Sequence, residues 1–112
     1  MPRTLLAVCW LAGLLPAQPQ APAPSVAADL PNGKSTFRAE LPSVALDVFA
    51  YRPEAWDGRR MLIVLHGVLR NADEYRDHAV GMGDRFGMLV IAPRFDAERF
   101  PSRAYQRGGL LR

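Results

Sequence analysis

The residues whose types and order could do chemistry lie together at "VLHGVLRNADEY", from Val64 to Tyr75. A polar imidazole, His66, and a bare glycine, Gly67, follow an apolar run, and Val68, Leu69 and Arg70 separate them from a helix-like segment. Two readings fit. Gly67 can simply give the backbone the freedom that a strand-to-helix turn requires. Alternatively, the backbone of the turn has chemistry to do, because a rigid amide is already aimed before charge develops on a substrate. Other reactive side chains are sparse. His78 falls in the following helix as a surface or edge residue, and a site built on His66 and His78 has no third ligand at a recognisable spacing, so no metal is expected. Beyond the N-terminal leader the serines are Ser35, Ser43 and Ser102. None sits in G-x-S-x-G, and none follows an apolar strand and opens a helix, so none reads as an activated nucleophile. The turn has one glycine and no G-x-G-x-x-G, which argues against a nucleotide cofactor. Arg70 could meet an anion near the helix start, but solvent or a substrate rim is the simpler contact.

Positioning this turn requires a strand before it and a helix after it. Met61-Leu62-Ile63-Val64-Leu65 has no charge and no alternation, the pattern of a strand buried on both faces. Asn71 can cap a helix, and Glu74 three residues later completes a capping box. Ala72, Tyr75, Ala79, Met82 and Phe86 then fall on one stripe. Gly81 and Gly83 weaken that helix, and Gly87 stops it. Met88 to Ala92 is a second apolar strand, ended by Pro93. Together these make a parallel βαβ unit. Upstream, Phe37, Ala39 and Leu41 alternate with Arg38 and Glu40, Pro42-Ser43 breaks the pattern, and Val44 to Tyr51 follows, so the two segments predict an antiparallel hairpin. Arg52-Pro53 ends the second strand and Asp57-Gly58 turns the chain. From Pro93 onward no periodicity is visible; the segment reads as loop, with Gly108-Gly109 a turn.

The chain has 112 residues, 49% hydrophobic and 22% charged, enough for one small domain. Residues 1–27 read as a secretory signal peptide. "LLAVCWLAGLL", Leu5 to Leu15, is too short to span a bilayer, and the proline-rich stretch after it cannot continue a helix. Cleavage is expected after Ala27, with Ala17 and Ala23 as rivals. This places the protein outside the cytoplasm or in the periplasm, with no stable membrane anchor. Cys9, the single cysteine, would be removed with the leader, leaving no disulfide, thiol nucleophile or cysteine zinc site. Residues 28–34 read as a spacer and 35–112 as the domain. The net charge of +3 is scattered among acids rather than drawn into a stripe, so no nucleic-acid partner is expected.

The antiparallel pair, the apolar strand ending in His-Gly, the capped helix and the apolar strand ending in Pro resemble the N-terminal third of an α/β-hydrolase. More narrowly, "VLHGVLRNADEYRD", "VIAPRFDAERFP" and "AYQRGG" are similar to secreted bacterial esterases and polyester depolymerases of that superfamily. The resemblance covers about Phe37 to Gly109. It implies an α/β fold with a partial hydrolase sheet, a small or polymeric ester as substrate, and no cofactor. It also implies that the loop after the third strand lends a backbone N–H to an oxyanion hole. By position that donor is Val68, supported by His66 and Gly67, with Leu69 and Arg70 at the substrate rim. The His66 side chain would brace the loop rather than act as a base. The nucleophile, acid and histidine of the triad are expected beyond Arg112. The sheet also lacks a helix for one face, so the chain reads as the opening of a larger domain, and this much of it should be marginal alone. The competing reading is a small secreted, non-catalytic binding module whose uncovered apolar face meets a partner.

Overall fold

The computed structural model describes residues 29–108, so the signal-peptide and Cys9 expectations, and Gly109, lie outside the described residues. Four strands form one mixed sheet: β1 (Gly33–Glu40), β2 (Ala45–Arg52), β3 (Met61–Ile63) and β4 (Leu89–Arg94), in the order β1-β2-β4-β3. One long helix, α1 (Ala72–Phe86), joins β3 to β4, and a short one, α2 (Ser102–Tyr105), follows β4. The architecture is α/β, as the apolar patterns predict.

β1 and β2 form the expected hairpin, with Phe37 opposite Val48 and Arg38 opposite Asp47. Strict alternation of exposed and covered residues in β1 reflects a strand with one face toward solvent. The sheet begins inside the stretch read as spacer, residues 28–34: β1 starts at Gly33, and Leu30 is buried, with its carbonyl accepting from the Arg52 guanidinium at 2.6 Å. Leu41, expected to point inward, lies beyond the strand and is exposed. There the Pro42-Ser43 turn closes with Leu41 N–H donating to Val44 O at 2.9 Å.

β3 and β4 run parallel and adjacent, joined by α1. Leu89 N–H donates to Arg60 O and Ile91 O accepts from Val64 N–H, so the odd positions of β4 face β3. Pro93 is the next odd position. Lacking an N–H, it cannot extend the ladder, and the chain leaves β3 at this level. β4 itself continues through Pro93 to Arg94, because pairing on its β2 side uses the even positions. This overturns the expectation that Pro93 ends the strand.

Opposite residues share a face. Phe49 and Tyr51 therefore lie with Val90 and Ala92 on the face that α1 covers, and the contacts agree: the Arg76 guanidinium sits 5.7 Å from the Phe49 ring centre, and Tyr51 Oη donates to Asp84 at 2.6 Å. The buried stripe of α1 is Ala72, Arg76, Ala79 and Gly83, rotated from the one predicted; Met82 and Phe86 are exposed. Gly83 is the cause. A Cβ there would meet Val90 Cγ2 at 3.0 Å and Met88 O at 3.1 Å, so glycine lets the helix lie close on the sheet. Gly87 ends α1 as expected, in the left-handed region at φ 58°, its N–H donating to Gly83 O.

On the opposite face Leu30, Ala50 and Leu89 form a small core flanked by Phe37, Trp56 and Ile91. At its β3 end no described residue covers this face. Met61, Ile63 and Leu65 are each more than half exposed, which corrects the expectation of a strand buried on both sides. β3 is the outermost strand of the described sheet, and α1 covers only one of its faces.

Candidate active-site turn

Beyond β3 the chain enters a tight turn over Gly67-Val68-Leu69-Arg70, closed by Arg70 N–H donating to Gly67 O at 3.2 Å. Arg70 takes the left-handed conformation, φ 59°, whereas Gly67 is not among the positive-φ residues. Glycine serves Gly67 in a different way: a Cβ there would stand 3.1 Å from the Tyr75 hydroxyl.

His66 is 4% exposed and both its ring nitrogens are engaged. Nε2 accepts from Phe95 N–H at 2.8 Å, so Nδ1 carries the proton and donates to Gly67 O at 2.9 Å. A neutral ring with neither nitrogen free cannot act as a general base without breaking the turn. Its geometry is that of a brace. Gly67 O thus receives two donors, and Val68 N–H lies on the same planar peptide, pointing the opposite way. Fixing the carbonyl fixes the direction of that amide. Among the described residues Val68 N–H has no hydrogen-bond partner, and Val68 and Leu69 are exposed, at 62% and 79%.

Arg70, expected at a rim or in solvent, is turned inward instead. Its guanidinium donates to Phe95 O at 2.9 Å and Phe100 O at 2.8 Å and lies 4.6 Å from the Tyr105 ring centre. Arginine's planar fork reaches two carbonyls at once, which a solvent-facing role would waste. Asn71 occupies the N-cap position without the expected capping box: its amide nitrogen donates to Glu74 Oε2 at 2.7 Å, and its side chain makes no bond to the helix backbone.

The segment after β4, expected as loop throughout, carries the short helix α2 and supplies the other side of the turn. Phe100 N–H donates to Asp96 O, and Asp96 clasps Arg99 through both its amide and its guanidinium. Those bonds, the Arg99 amide first, hold the Asp96 carboxyl below its ordinary pKa. Pro101 then opens α2, which carries Tyr105 back over His66. Tyr105 Oη donates to His66 O at 2.6 Å, and the two rings lie 4.9 Å apart. Phe95 packs against Phe100 and Tyr105, both at 5.2 Å. None of these three aromatics was singled out in the sequence. Their spacing of five residues fits neither a helical stripe nor a strand.

His78 is exposed on α1, 6.4 Å from the Tyr75 ring, on a shallow apolar groove between β3 and α1. Ser43 and Ser102 are exposed, and Ser35 Oγ is buried on β1, so no serine is paired with a histidine ring among the described residues. No group of three His, Cys, Asp or Glu side chains there could hold a metal ion, and no helix there is long and apolar enough to cross a membrane.

No family model matches the sequence, and no curated protein matches it. Solved structures do, two enzymes among them. One is LpqC, a poly(3-hydroxybutyrate) depolymerase from Bordetella parapertussis, with a TM-score of 0.63 and 30% identity over 72% of this chain and 29% of that one. The other is poly(aspartic acid) hydrolase-1 from Sphingomonas sp. KT-1, with a TM-score of 0.66 and 30% identity over 74% of this chain and 33% of that one. The chain thus spans about a third of the length of the enzymes it matches. Over the stretch compared, its four-stranded α/β sheet matches part of the fold of these α/β-hydrolase-type enzymes, at 30% identity.

Proposed function

We propose that this chain is the portion of a secreted serine hydrolase of carboxylic esters that carries the oxyanion turn, with Val68 N–H as the donor. The observation that supports it best is an unpartnered amide, on an exposed residue, whose peptide plane is pinned from the opposite side by His66 and Arg70 N–H. In acyl transfer the substrate carbonyl gains negative charge, and a donor fixed beforehand stabilises that charge without reorganising. Gly67 leaves room for the Tyr75 hydroxyl, which a Cβ would meet at 3.1 Å. The exposed neighbours Leu65, Val68 and Leu69 are apolar, which suits an aliphatic acyl group or polyester better than a polyanion. The reading requires a nucleophile on a G-x-S-x-G elbow, an acid and a histidine, all carried beyond Arg112, and a leader removed on export.

The row of exposed Met61, Ile63 and Leu65 favours a second reading, a non-catalytic module that binds a partner. One experiment separates the two. The protein is purified from the medium of its producing cells, its intact mass and N-terminus are measured, and it is treated with a fluorophosphonate. The hydrolase reading expects an N-terminus after Ala17, Ala23 or Ala27, a mass well above that of residues 28–112, and a single labelled serine. A mass ending at Arg112 with no labelling refutes it and leaves the binding module.

A further inference from the structure

The oxyanion reading leaves open what keeps His66 in place, and the segment after β4 answers it. Val68 N–H is aimed by Gly67 O, and Gly67 O is held by His66 Nδ1–H. The His66 residue is in turn held at three points: Phe95 N–H on Nε2, the Tyr105 ring against the imidazole, and the Tyr105 hydroxyl on its backbone carbonyl. Two of those three come from one side chain, 39 residues downstream. We propose that Tyr105 is a positioning residue for acyl transfer, acting through His66 to fix the direction of the Val68 amide; this rests on the hydrolase reading above.

Three observations converge. His66 O can only accept, so Tyr105 must donate, and at 2.6 Å the bond is short for a hydroxyl and a carbonyl. Burial of the Tyr105 phenol raises its pKa, so it keeps this proton at neutral and mildly alkaline pH. Finally, the surroundings are built to hold Tyr105 itself: the Phe95 ring lies 5.2 Å away and the Arg70 guanidinium 4.6 Å away on its face. Arg70 is tied to the carbonyls of Phe95 and Phe100, so the turn and the α2 segment are clamped from both ends. A tyrosine needed only to fill space would not require its hydroxyl to end on the one carbonyl preceding Gly67.

The test is Tyr105→Phe in the protein as its producing cells make it, beside Tyr51→Phe. The second variant also loses a tyrosine hydroxyl, one bonded to Asp84 in the last turn of α1 rather than to the Gly67 turn. Hydrolysis of 4-nitrophenyl butyrate gives kcat and KM, and residue-resolved amide hydrogen exchange gives the state of the turn. The expected result for Tyr105→Phe is a fall in kcat of about tenfold with KM changed less than about twofold, since a mis-aimed donor loses part of the ~10²–10³-fold that a deleted one costs. Exchange at the Arg70 amide should quicken while that in α1 and β4 does not, which shows that the fold is intact. Tyr51→Phe should leave kcat unchanged. An unaltered kcat in Tyr105→Phe, or equal losses in both variants, overturns the proposal. If the wild-type protein reacts with neither ester nor fluorophosphonate, the hydrolase reading falls and the role of Tyr105 in acyl transfer falls with it. An active wild type with an indifferent Tyr105→Phe overturns the positioning role alone.

Discussion

Replacing Gly83 and Gly81 by alanine, one at a time, should change stability in opposite directions although the two positions lie two residues apart in α1. At both sites alanine restricts the unfolded chain and favours the helix, by up to about 1 kcal/mol. At Gly81 the new methyl meets open space and nothing offsets the gain. At Gly83 it would stand 3.0 Å from Val90 Cγ2, 3.1 Å from Met88 O and 3.4 Å from Tyr51 Cδ1. Val90 is fully buried and stiff at χ1, and the Met88 carbonyl belongs to the backbone that leads into β4. Neither can yield a few tenths of an ångström cheaply, and overpacking of this kind costs ~1–3 kcal/mol. Gly81→Ala should therefore gain up to about 1 kcal/mol, and Gly83→Ala should lose up to about 2 kcal/mol. The difference between the two is the more secure number, because the propensity and unfolded-state effects are common to both and cancel. Urea unfolding followed by far-ultraviolet circular dichroism reads it directly as a separation of midpoints at similar slope. A Gly83→Ala protein as stable as Gly81→Ala would show that the helix does not sit this close to the sheet. The placement of the turn at its N-terminus would then be in doubt as well.

Arg70→Ala removes two charge-assisted bonds to the Phe95 and Phe100 carbonyls and should cost about 2 kcal/mol in the same assay. Arg70→Gly loses those bonds too but relieves a positive φ, so it should be the more stable of the two by about 1 kcal/mol; the reverse order would contradict the left-handed turn. The Asp96 carboxyl has its pKa lowered by the Arg99 amide and guanidinium, so its stabilising clasp is complete above the pKa of an unfolded aspartate and is lost only as pH falls through the lower folded value. An acid titration of the Arg99 amide shift should show a midpoint below that of ordinary aspartates, and a midpoint at or above it would refute the clasp. In Asp96→Asn this titration step should vanish.

Apolar runs and turn residues were enough to determine the strands, the helix and its Gly87 stop, because each reports a local backbone preference and a burial period that need no partner to be read. The hairpin and the βα turn followed from the same signals, but Pro93, read as the end of β4, lies within it, because the strand's pairing with β2 does not use the Pro93 nitrogen. What tertiary structure decided was everything set by contact between distant segments. The stripe of α1 is rotated from the most apolar one because close approach at Gly83 outweighs the burial of Met82 and Phe86. Among the described residues one face of β3 is uncovered, because what packs on a strand depends on strand order and on where the helix crosses, which no pattern within Met61 to Leu65 encodes. Asn71 and Arg70 carry local signals for a cap and a rim, yet Glu74 and two loop carbonyls take their hydrogen bonds. The candidate site divides in the same way. His66, Gly67 and Val68 were legible as a turn, but the aim of the Val68 amide depends on Phe95 and Tyr105, residues in an aperiodic segment whose meaning comes only from folding back onto His66.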